Sequence, residues 1–166
     1  STPMASPRHQ RPSWDEFFMG VAKAVAQRAS CDRGRSGCCV VRENRILVTG
    51  YVGAPRDCAH CDDIGHEFHT TRHLDGHESQ HCVRTTHAEQ NAVCQAAYLG
   101  VSLKDGVLYC TMTPCYTCAK MIINCGIKKV IAEFDYHAGQ RTKEIFAEAG
   151  VQLKILNPTP LAYAQQ

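Results

Sequence analysis

The chain has 166 residues, a formal net charge of +2 and a charged fraction of 20%. A chain of this length fits one domain, which buries about 70% of the surface of its unfolded state. So small a charge gives no reason to expect nucleic acid as a partner, and no apolar run approaches the roughly 20 residues that cross a membrane. Segment 1–12 lacks the apolar core of a signal peptide, so we expect a cytoplasmic protein.

Cysteine and histidine are unusually frequent, with 11 cysteines and 9 histidines in the chain. Most of the histidines lie in one tract between His60 and His87. In a reducing compartment, clustered cysteines bind metal more often than they form disulfides. The tract therefore predicts metal binding before any other property.

The first predicted element is an amphipathic helix. Ser13 and Glu16 form a capping box, which places the start of the helix at Trp14. Apolar residues recur at helical spacing from there to Ala29, so we expect the helix to end before Cys31.

A β-hairpin and a long polar segment follow the first helix. Residues 38–42 and 46–52 have the composition of strands and flank a tight turn at Glu43 and Asn44. Residues 53–84 are polar and show no periodicity. A loop of that length inside a compact domain needs something to order it, and its cysteines and histidines suggest a metal.

From residue 85 onward the pattern becomes a regular alternation of helix and strand, punctuated by glycines. The predicted elements are a helix capped by Thr86 that runs to Leu99, a strand over 107–111, a helix opened by Pro114 that ends at Gly126, a strand over 129–134, a helix over 140–149 and a strand over 151–156.

This alternation implies right-handed parallel crossovers, so the predicted fold is α/β, with helices covering a five-stranded sheet. We predict one domain over residues 13–157, with the Cys/His-rich insert at about 53–84. Residues 1–12 are expected to be a flexible N-terminus, and residues 158–166 a loosely held C-terminal tail.

The motif that carries chemistry is His-x-Glu followed by Pro-Cys-x-x-Cys, the signature of zinc nucleobase deaminases. Cys115 and Cys118 fall in the first turn of a predicted helix, where the positive end of the helix dipole lowers thiol pKa values. With His87 they make three protein ligands for zinc. Three ligands leave the fourth tetrahedral position for water, as in catalytic zinc sites.

Glu89 is the predicted proton carrier. It follows His87 by two residues and so points away from the metal ligand itself. A glutamate beside the attacking water can take its proton, deliver it to the ring nitrogen and then protonate the leaving ammonia. The backbone N–H of Ala88 can donate to the base carbonyl. The motif thus predicts hydrolytic attack on C4 of cytosine to give uracil.

Two other interpretations of the motif remain open at this point. A Cys-x-x-Cys pair alone fits a redox pair or half of a structural zinc site equally well. A zinc-stabilised binding module is the competing class of protein, but it has no use for Glu89. Three further cysteines fall on apolar faces, and we expect them to be buried and not to bind metal. They are Cys94, Cys110 and Cys125.

Over nearly its whole length the chain resembles the deoxycytidylate (dCMP) deaminase family, including bacterial and phage members. The matching segments are Pro-Ser-Trp-Asp-Glu-Phe-Phe-Met from residue 12, Arg-Ala-Ser-Cys from 28, Gly-Tyr-Val-Gly-Ala-Pro from 50, Cys-Val-Arg-Thr-Thr-His-Ala-Glu from 82 and Tyr-Cys-Thr-Met-Thr-Pro-Cys-Tyr-Thr-Cys from 109.

The resemblance implies a three-layer cytidine-deaminase-like fold with a mixed sheet, and conversion of dCMP to dUMP, the precursor of dTMP. It implies Tyr136 on the substrate side of the site. It further implies a homo-oligomer, a hexamer, activated by dCTP and inhibited by dTTP, with Mg²⁺ accompanying the effector nucleotide.

A second, structural zinc in the insert is also implied by the resemblance. Relatives place cysteines at the positions of Cys61 and Cys82, and often at that of His66, where histidine is an accepted exchange in a closed tetrahedral site. Cys31 matches the cysteine that follows the first helix in relatives and is our fourth ligand. The alternatives for that position are His60, His77 and His81. The competing interpretation is a polar surface loop whose histidines face solvent.

Two positions depart from the family, and the phosphate contact is not part of any motif. The family has asparagine where this chain has Val52, which removes an amide that could contact the nucleotide. Some relatives carry an arginine tied to allosteric response where this chain has Tyr98. Recognition of a phosphate needs cations or helix N-termini. Arg33 and Arg35 are the candidate cations, and the alternative is that both are solvated loop charges.

Overall fold

The structure, a computed structural model, describes residues 2–161, and the elements below refer to that part of the chain. None of its helices is long and apolar enough to span a membrane. In chain order the elements are α1 (Trp14–Ala26), β1 (Gly37–Arg42), β2 (Arg45–Tyr51), α2 (Cys61–Ile64), β3 (Phe68–Arg72), β4 (Glu78–Cys82), α3 (Ala88–Leu99), β5 (Val107–Met112), α4 (Tyr116–Asn124), β6 (Lys129–Tyr136), α5 (Gln140–Ala149) and β7 (Gln152–Leu161).

Five of the strands form one mixed sheet in the order β2-β1-β5-β6-β7. Strand β1 is antiparallel to β2 and β5, whereas β5, β6 and β7 run parallel. Successive side chains of a strand point to opposite faces. Cys39 and Val41 accordingly pack with α1, while Cys38 and Val40 pack with α3, α4 and α5. The predicted three-layer α/β fold is therefore confirmed.

Several local predictions are confirmed as well. The side chain of Ser13 caps α1 by accepting a 3.1 Å hydrogen bond from the backbone N–H of Glu16. Glu43 and Asn44 form the hairpin turn with φ angles of 52° and 58°, which is the geometry that matches the twist of a two-residue hairpin. Helix α5 spans the predicted residues 140–149.

The starts of two helices were predicted wrongly. Thr86 does not cap α3, because its backbone is held extended by hydrogen bonds exchanged with Gly53. The cap is His87, one residue later. Pro114 does not open α4 either, since the helix begins at Tyr116 and the proline lies in the turn before it. As a result, two predicted metal ligands, His87 and Cys115, are the N-cap residues of these helices.

The boundaries near the two ends also differ from prediction. Helix α1 ends at Ala26 and not near Ala29, because its last turn tightens into i→i−3 hydrogen bonds. Strand β7 continues to residue 161 beside a β6 that is itself longer than predicted, so residues 158–161 are not a loose tail. The remaining predicted tail, 162–166, lies outside the described residues. Residues 2–12 form no helix or strand, and the single-domain boundaries stay a prediction.

The Cys/His-rich insert has regular structure that its sequence did not indicate. It contains the one-turn helix α2 and an antiparallel hairpin of β3 and β4, which forms a separate two-stranded sheet. The hairpin pairs Phe68 with Cys82 and Arg72 with Glu78. Every residue of β3 is exposed, so neither face carries the apolar alternation by which a half-buried strand is recognised.

Helix α3 lies so close to β2 that there is no room for a side chain at Gly50. A Cβ built there would lie 2.2 Å from the carbonyl oxygen of Ala88 and 2.7 Å from the backbone nitrogen of Ala92. These are backbone atoms of α3 and cannot yield unless the helix moves. The contact therefore sets the position of the start of α3 against the sheet.

We predict that Gly50→Ala lowers the free energy of unfolding by at least about 1–3 kcal/mol, the usual effect of overpacking, because α3 must shift. Urea denaturation measures this. Gly20→Ala is the matched control, since a Cβ at Gly20 in α1 meets nothing within 4 Å, and alanine should stabilise a helix there by about 0.5–1 kcal/mol. Equal stability of the two variants would contradict the described contact.

Candidate active site

Three predicted metal ligands converge at the N-termini of α3 and α4. His87 caps α3 and Cys115 caps α4, while Cys118 lies in the first turn of α4. The Nδ1 atom of His87 lies 3.5 Å from Sγ of Cys115 and 3.4 Å from Sγ of Cys118. These three residues, which we call the catalytic cluster, offer ligand atoms that all lie within 4.8 Å of one another.

The donors of the catalytic cluster fit zinc in kind and spacing. Bonds of about 2.0–2.3 Å in a tetrahedron separate neighbouring ligand atoms by about 3.5–3.8 Å, close to the distances found here. A hydrogen bond with the Cys118 thiol, together with one from His87, lowers the pKa of Cys115 well below its ordinary value. The site thus stabilises a thiolate, which is the form of cysteine that binds metal.

Glu89 lies beside the catalytic cluster, one residue into α3. It is only 7% exposed, and its carboxyl group interacts with the thiol of Cys118. Burial raises the pKa of Glu89 above its ordinary value. A carboxyl group with a raised pKa can hold a proton as well as release it, which a residue that shuttles protons requires. The position of Glu89 is compatible with the proton-carrying role, which stays a prediction.

A cavity of about 470 Å³ opens beside the catalytic cluster. Ala88 and Tyr136, the two predicted substrate residues, both line it, as does Glu89. Val52, which replaces the asparagine of the family, is 9% exposed and also lines the cavity. A cavity of this size is suited to a small molecule, since ligand pockets measure about 300–1,000 Å³.

Four residues form a second cluster, which we define as Cys31, Cys61, His66 and Cys82. Cys31 comes from the loop between α1 and β1, and the other three come from the insert. Their ligand atoms also lie within 4.8 Å of one another. Sγ of Cys31 is 3.4 Å from Nδ1 of His66, and the two remaining sulfurs are 3.4 Å apart. Three thiols and one imidazole at tetrahedral spacing are the donor set of a closed, structural zinc site.

The other ring nitrogen of His66 supports this interpretation. Its Nε2 lies 2.9 Å from Oδ1 of Asp32. Histidines that bind metal through one nitrogen usually donate the other N–H to a carboxylate, which fixes the tautomer and the ring orientation. Asp32 was not among the sequence-predicted residues, although it directly follows Cys31.

The alternative fourth ligands have other partners. Nδ1 of His60 lies 2.6 Å from the hydroxyl of Ser30. His77 pairs with the carboxylate of Asp75. His81 lies outside the second cluster and lines the cavity instead. Cys31, our sequence-based choice, is the residue that the structure brings to the other three.

The two candidate phosphate-binding arginines differ in position. Arg33 lines the cavity. Arg35 does not, because its guanidinium forms two hydrogen bonds of 3.0 and 2.8 Å with the carboxylate of Asp62. The structure therefore keeps Arg33 as a candidate and assigns Arg35 to the attachment of α2.

Of the three cysteines expected to be buried, one follows the expectation fully and one in part. Cys110 is buried and Cys125 is half-buried, whereas Cys94 is exposed, so that prediction was wrong. Cys94 lies on a face of α3 that the described residues leave uncovered. None of the three belongs to either cluster within the described part of the chain.

Sequence reasoning missed the contribution to the cavity wall of the end of β4 and the residues that follow it. His81, Cys82, Val83 and Thr85 all line the cavity. The sequence did contain one signal for these residues. His81 and Val83 flank Cys82, a predicted metal ligand, and a residue that binds metal holds its sequence neighbours near the site.

Comparison with known proteins shows which family this chain is similar to. The family model of the cytidine and deoxycytidylate deaminase zinc-binding region matches residues 12–134. The deoxycytidylate deaminase of Mycobacterium phage D29 is 37% identical over 132 residues, which cover 73% of this chain and 94% of that protein. The deoxycytidylate deaminase of Schizosaccharomyces pombe is 37% identical over 151 residues, or 91% of this chain and 46% of that protein. The chain thus spans about half the length of the fungal relatives it matches.

A solved structure agrees over the same extent. The crystal structure of the dCMP deaminase from cyanophage S-TIM5 in complex with dCMP and dUMP matches with a TM-score of 0.70 at 28% identity. The match covers 89% of this chain and 99% of that chain.

Proposed function

The chain belongs to the cytidine and deoxycytidylate deaminase family, as its sequence resemblance indicated, and we propose that it hydrolyses dCMP to dUMP and ammonia. One observation carries the proposal: a buried glutamate, Glu89, lies beside a three-ligand cluster at the wall of a nucleotide-sized cavity. A zinc-stabilised binding module would have no use for that carboxyl group. The product dUMP would supply the precursor of dTMP.

The reaction follows from the positions of the lining residues. Zinc held by the catalytic cluster would supply a Lewis acid that lowers the pKa of water to about 7. The Glu89 carboxylate accepts the proton of the attacking water and delivers it to N3 of cytosine. It then takes the remaining proton of the hydroxyl added at C4 and gives it to the amino group, so that the C4–N bond breaks, ammonia leaves and the C4 carbonyl of uracil forms. The backbone N–H of Ala88 donates to the base carbonyl, and Tyr136 lies at the substrate.

A monophosphate substrate is supported by Arg33. It is the one arginine or lysine among the described residues that line the cavity. Its guanidinium donates a 2.7 Å hydrogen bond to the carbonyl oxygen of Gln80, which holds the group at the wall. A guanidinium has five N–H donors in a fork that matches the geometry of phosphate oxygens.

A second, structural zinc in the second cluster is part of the proposal. The residues come from separate parts of the chain, and the insert they order has little apolar burial of its own. Structural zinc contributes on the order of 10–16 kcal/mol in small peptides, compared with a net stability of about 5–15 kcal/mol for a whole domain. Both clusters need reduced thiols, which is why we also propose a cytoplasmic location.

We further propose a homo-oligomer, a hexamer, that dCTP activates and dTTP inhibits with Mg²⁺. The family resemblance supports this. The guanidinium of Arg56 lies 4.4 Å from the ring centroid of Tyr98, so an arginine is present beside the position where some relatives carry theirs. Light scattering tests for the oligomer. Allosteric control requires at least two coupled sites and two states, and the rate of dCMP deamination with and without dTTP tests for the coupling.

We predict two zinc ions per chain in the purified protein. Cys118→Ser and Cys61→Ser should each reduce the number to one, because each removes a ligand from one cluster only. Elemental analysis after gel filtration measures the ratio. Cys58→Ser is the matched control, since Cys58 is exposed in the insert and belongs to neither cluster. A single zinc in the wild type, lost completely in Cys115→Ser, would show that the second cluster does not bind the metal.

Glu89→Gln should retain both zinc ions and the fold but lose about 10²–10⁴-fold in kcat, the usual contribution of a positioned acid–base group. Glutamine keeps the shape of the side chain and cannot carry the proton. Steady-state deamination of dCMP measures the loss. Glu148→Gln, at an exposed position of α5, should behave like the wild type. Near wild-type turnover by Glu89→Gln would refute the mechanism.

The enzyme should prefer dCMP to deoxycytidine. Arg33→Gln should reduce kcat/KM for dCMP by about 10- to 100-fold, because a hydrogen bond to a charged group contributes about 1.5–3 kcal/mol. Deoxycytidine turnover should not change. Arg45→Gln, at an exposed position of β2, is the control. Equal kcat/KM for nucleoside and monophosphate in the wild type would remove the proposed substrate class.

A further inference from the structure

We propose that His81 is a specificity-determining residue that binds the 5′-phosphate of the substrate together with Arg33, and that the second cluster sets the spacing of the two side chains. This rests on the proposed function, which already requires a phosphate at the cavity wall. The inference adds a residue to that contact and gives the second cluster a role in substrate selection.

The cavity links the two clusters. It is lined at the catalytic cluster by His87 and Cys115, and at the second cluster by Cys31 and Cys82. Cytosine must lie at Glu89 for the reaction to occur, so the far end of the nucleotide must meet other lining residues. Arg33 and His81 supply nitrogen donors in that lining, and they come from the two segments that carry Cys31 and Cys82.

The ring of His81 is held by a chain of hydrogen bonds. Nε2 of His73 lies 2.8 Å from the hydroxyl of Ser79, and that hydroxyl lies 3.2 Å from Nε2 of His81. Ser79 is only 9% exposed, although it belongs to an otherwise exposed hairpin. These contacts are satisfied with either direction of donation, and in one of the two directions His73 donates to Ser79 and Ser79 donates to His81. In that arrangement Nδ1 of His81 carries the hydrogen and can donate to a phosphate oxygen.

Arg33 and His81 share one support. Arg33 donates to the carbonyl oxygen of Gln80, the residue directly before His81. The Arg33 guanidinium also lies 5.0 Å from the ring centroid of Phe68 in the neighbouring strand. An arginine and an imidazole at one wall can both donate hydrogen bonds to the charged oxygens of a phosphate. Their hydrogen bonds to the single 5′-hydroxyl of a nucleoside would be much weaker, because that group carries no charge.

The second cluster is what fastens this wall to the domain. Arg33 is two residues after Cys31, and His81 directly precedes Cys82. The β3–β4 hairpin is a separate two-stranded sheet, and a hairpin of two strands has little stability of its own. When the cluster is closed around a metal, Cys31 and Cys82 are held together and so are the side chains beside them.

The first experiment is His81→Ala with His69→Ala as the matched control. His69 is the cross-strand partner of His81, is exposed, and does not line the cavity. For His81→Ala we expect KM for dCMP and the calorimetric Kd for dUMP to rise about tenfold or more, the effect of one hydrogen bond to a charged group. The values of kcat for dCMP and of kcat/KM for deoxycytidine should stay within about twofold of wild type, as should every constant of His69→Ala.

The second experiment tests the role of the cluster through Cys61→Ser, because Cys61 is the cluster cysteine that does not line the cavity. The variant should retain one zinc and its deoxycytidine turnover while its affinity for dUMP falls as in His81→Ala. If it does not fold, the His81→Ala result decides alone. An unchanged dUMP affinity in His81→Ala, or equal losses for dCMP and deoxycytidine, would overturn the inference. Failure of the wild type to deaminate dCMP would instead refute the proposed function, and the dUMP binding data would remain interpretable.

Discussion

The active site depends on the meeting of two helix N-termini. The imidazole nitrogen of His87 lies 3.5 and 3.4 Å from the sulfurs of Cys115 and Cys118 only because α3 and α4 begin at the same place. Helix α3 is held there by its backbone contact with Gly50, and α4 follows directly from β5 in the middle of the sheet. The dipoles of both helices favour negative charge at this point. Fold and electrostatics therefore select the same spot for thiolate ligands.

Much of the fold could be predicted because its elements bury one face. The hairpin turn at Glu43 and Asn44 and the whole of α5 follow from turn residues, apolar spacing and a terminal glycine. The β3–β4 hairpin could not be predicted, because its strands are polar and largely exposed. Their sequence lacks the alternation of apolar and polar residues by which a half-buried strand is recognised. Thr86 was mistaken for a helix cap because nothing local reveals its distant pairing with Gly53.

The site shows the same division. The residues of the catalytic cluster belong to two short motifs, His-x-Glu and Pro-Cys-x-x-Cys. The spacing within each motif is fixed, so the sequence was sufficient to find these residues. The second cluster was found through family resemblance, and the structure brings its four members together. Asp32 escaped notice, and His81 was considered only as a zinc ligand, because their positions beside His66 and at the cavity arise from neighbours in space and not from residue type. Arg33 and Arg35 look equivalent in the sequence and are distinguished by their partners in space, Gln80 for Arg33 and Asp62 for Arg35.

The attachment of the hairpin at both of its ends has a consequence for how this protein can vary. His66 precedes β3 and Cys82 ends β4, so both bases of the hairpin are tied to the second cluster while its turn projects away. Residues at the tip, between His73 and His77, can be added or removed without altering the register at the cavity, since His73 keeps its contact with Ser79. Each doubling of a flexible loop costs only about 0.6 kcal/mol in closure entropy. The tip is thus a natural position for lineage-specific insertions and for grafting a reporter peptide next to an intact enzyme.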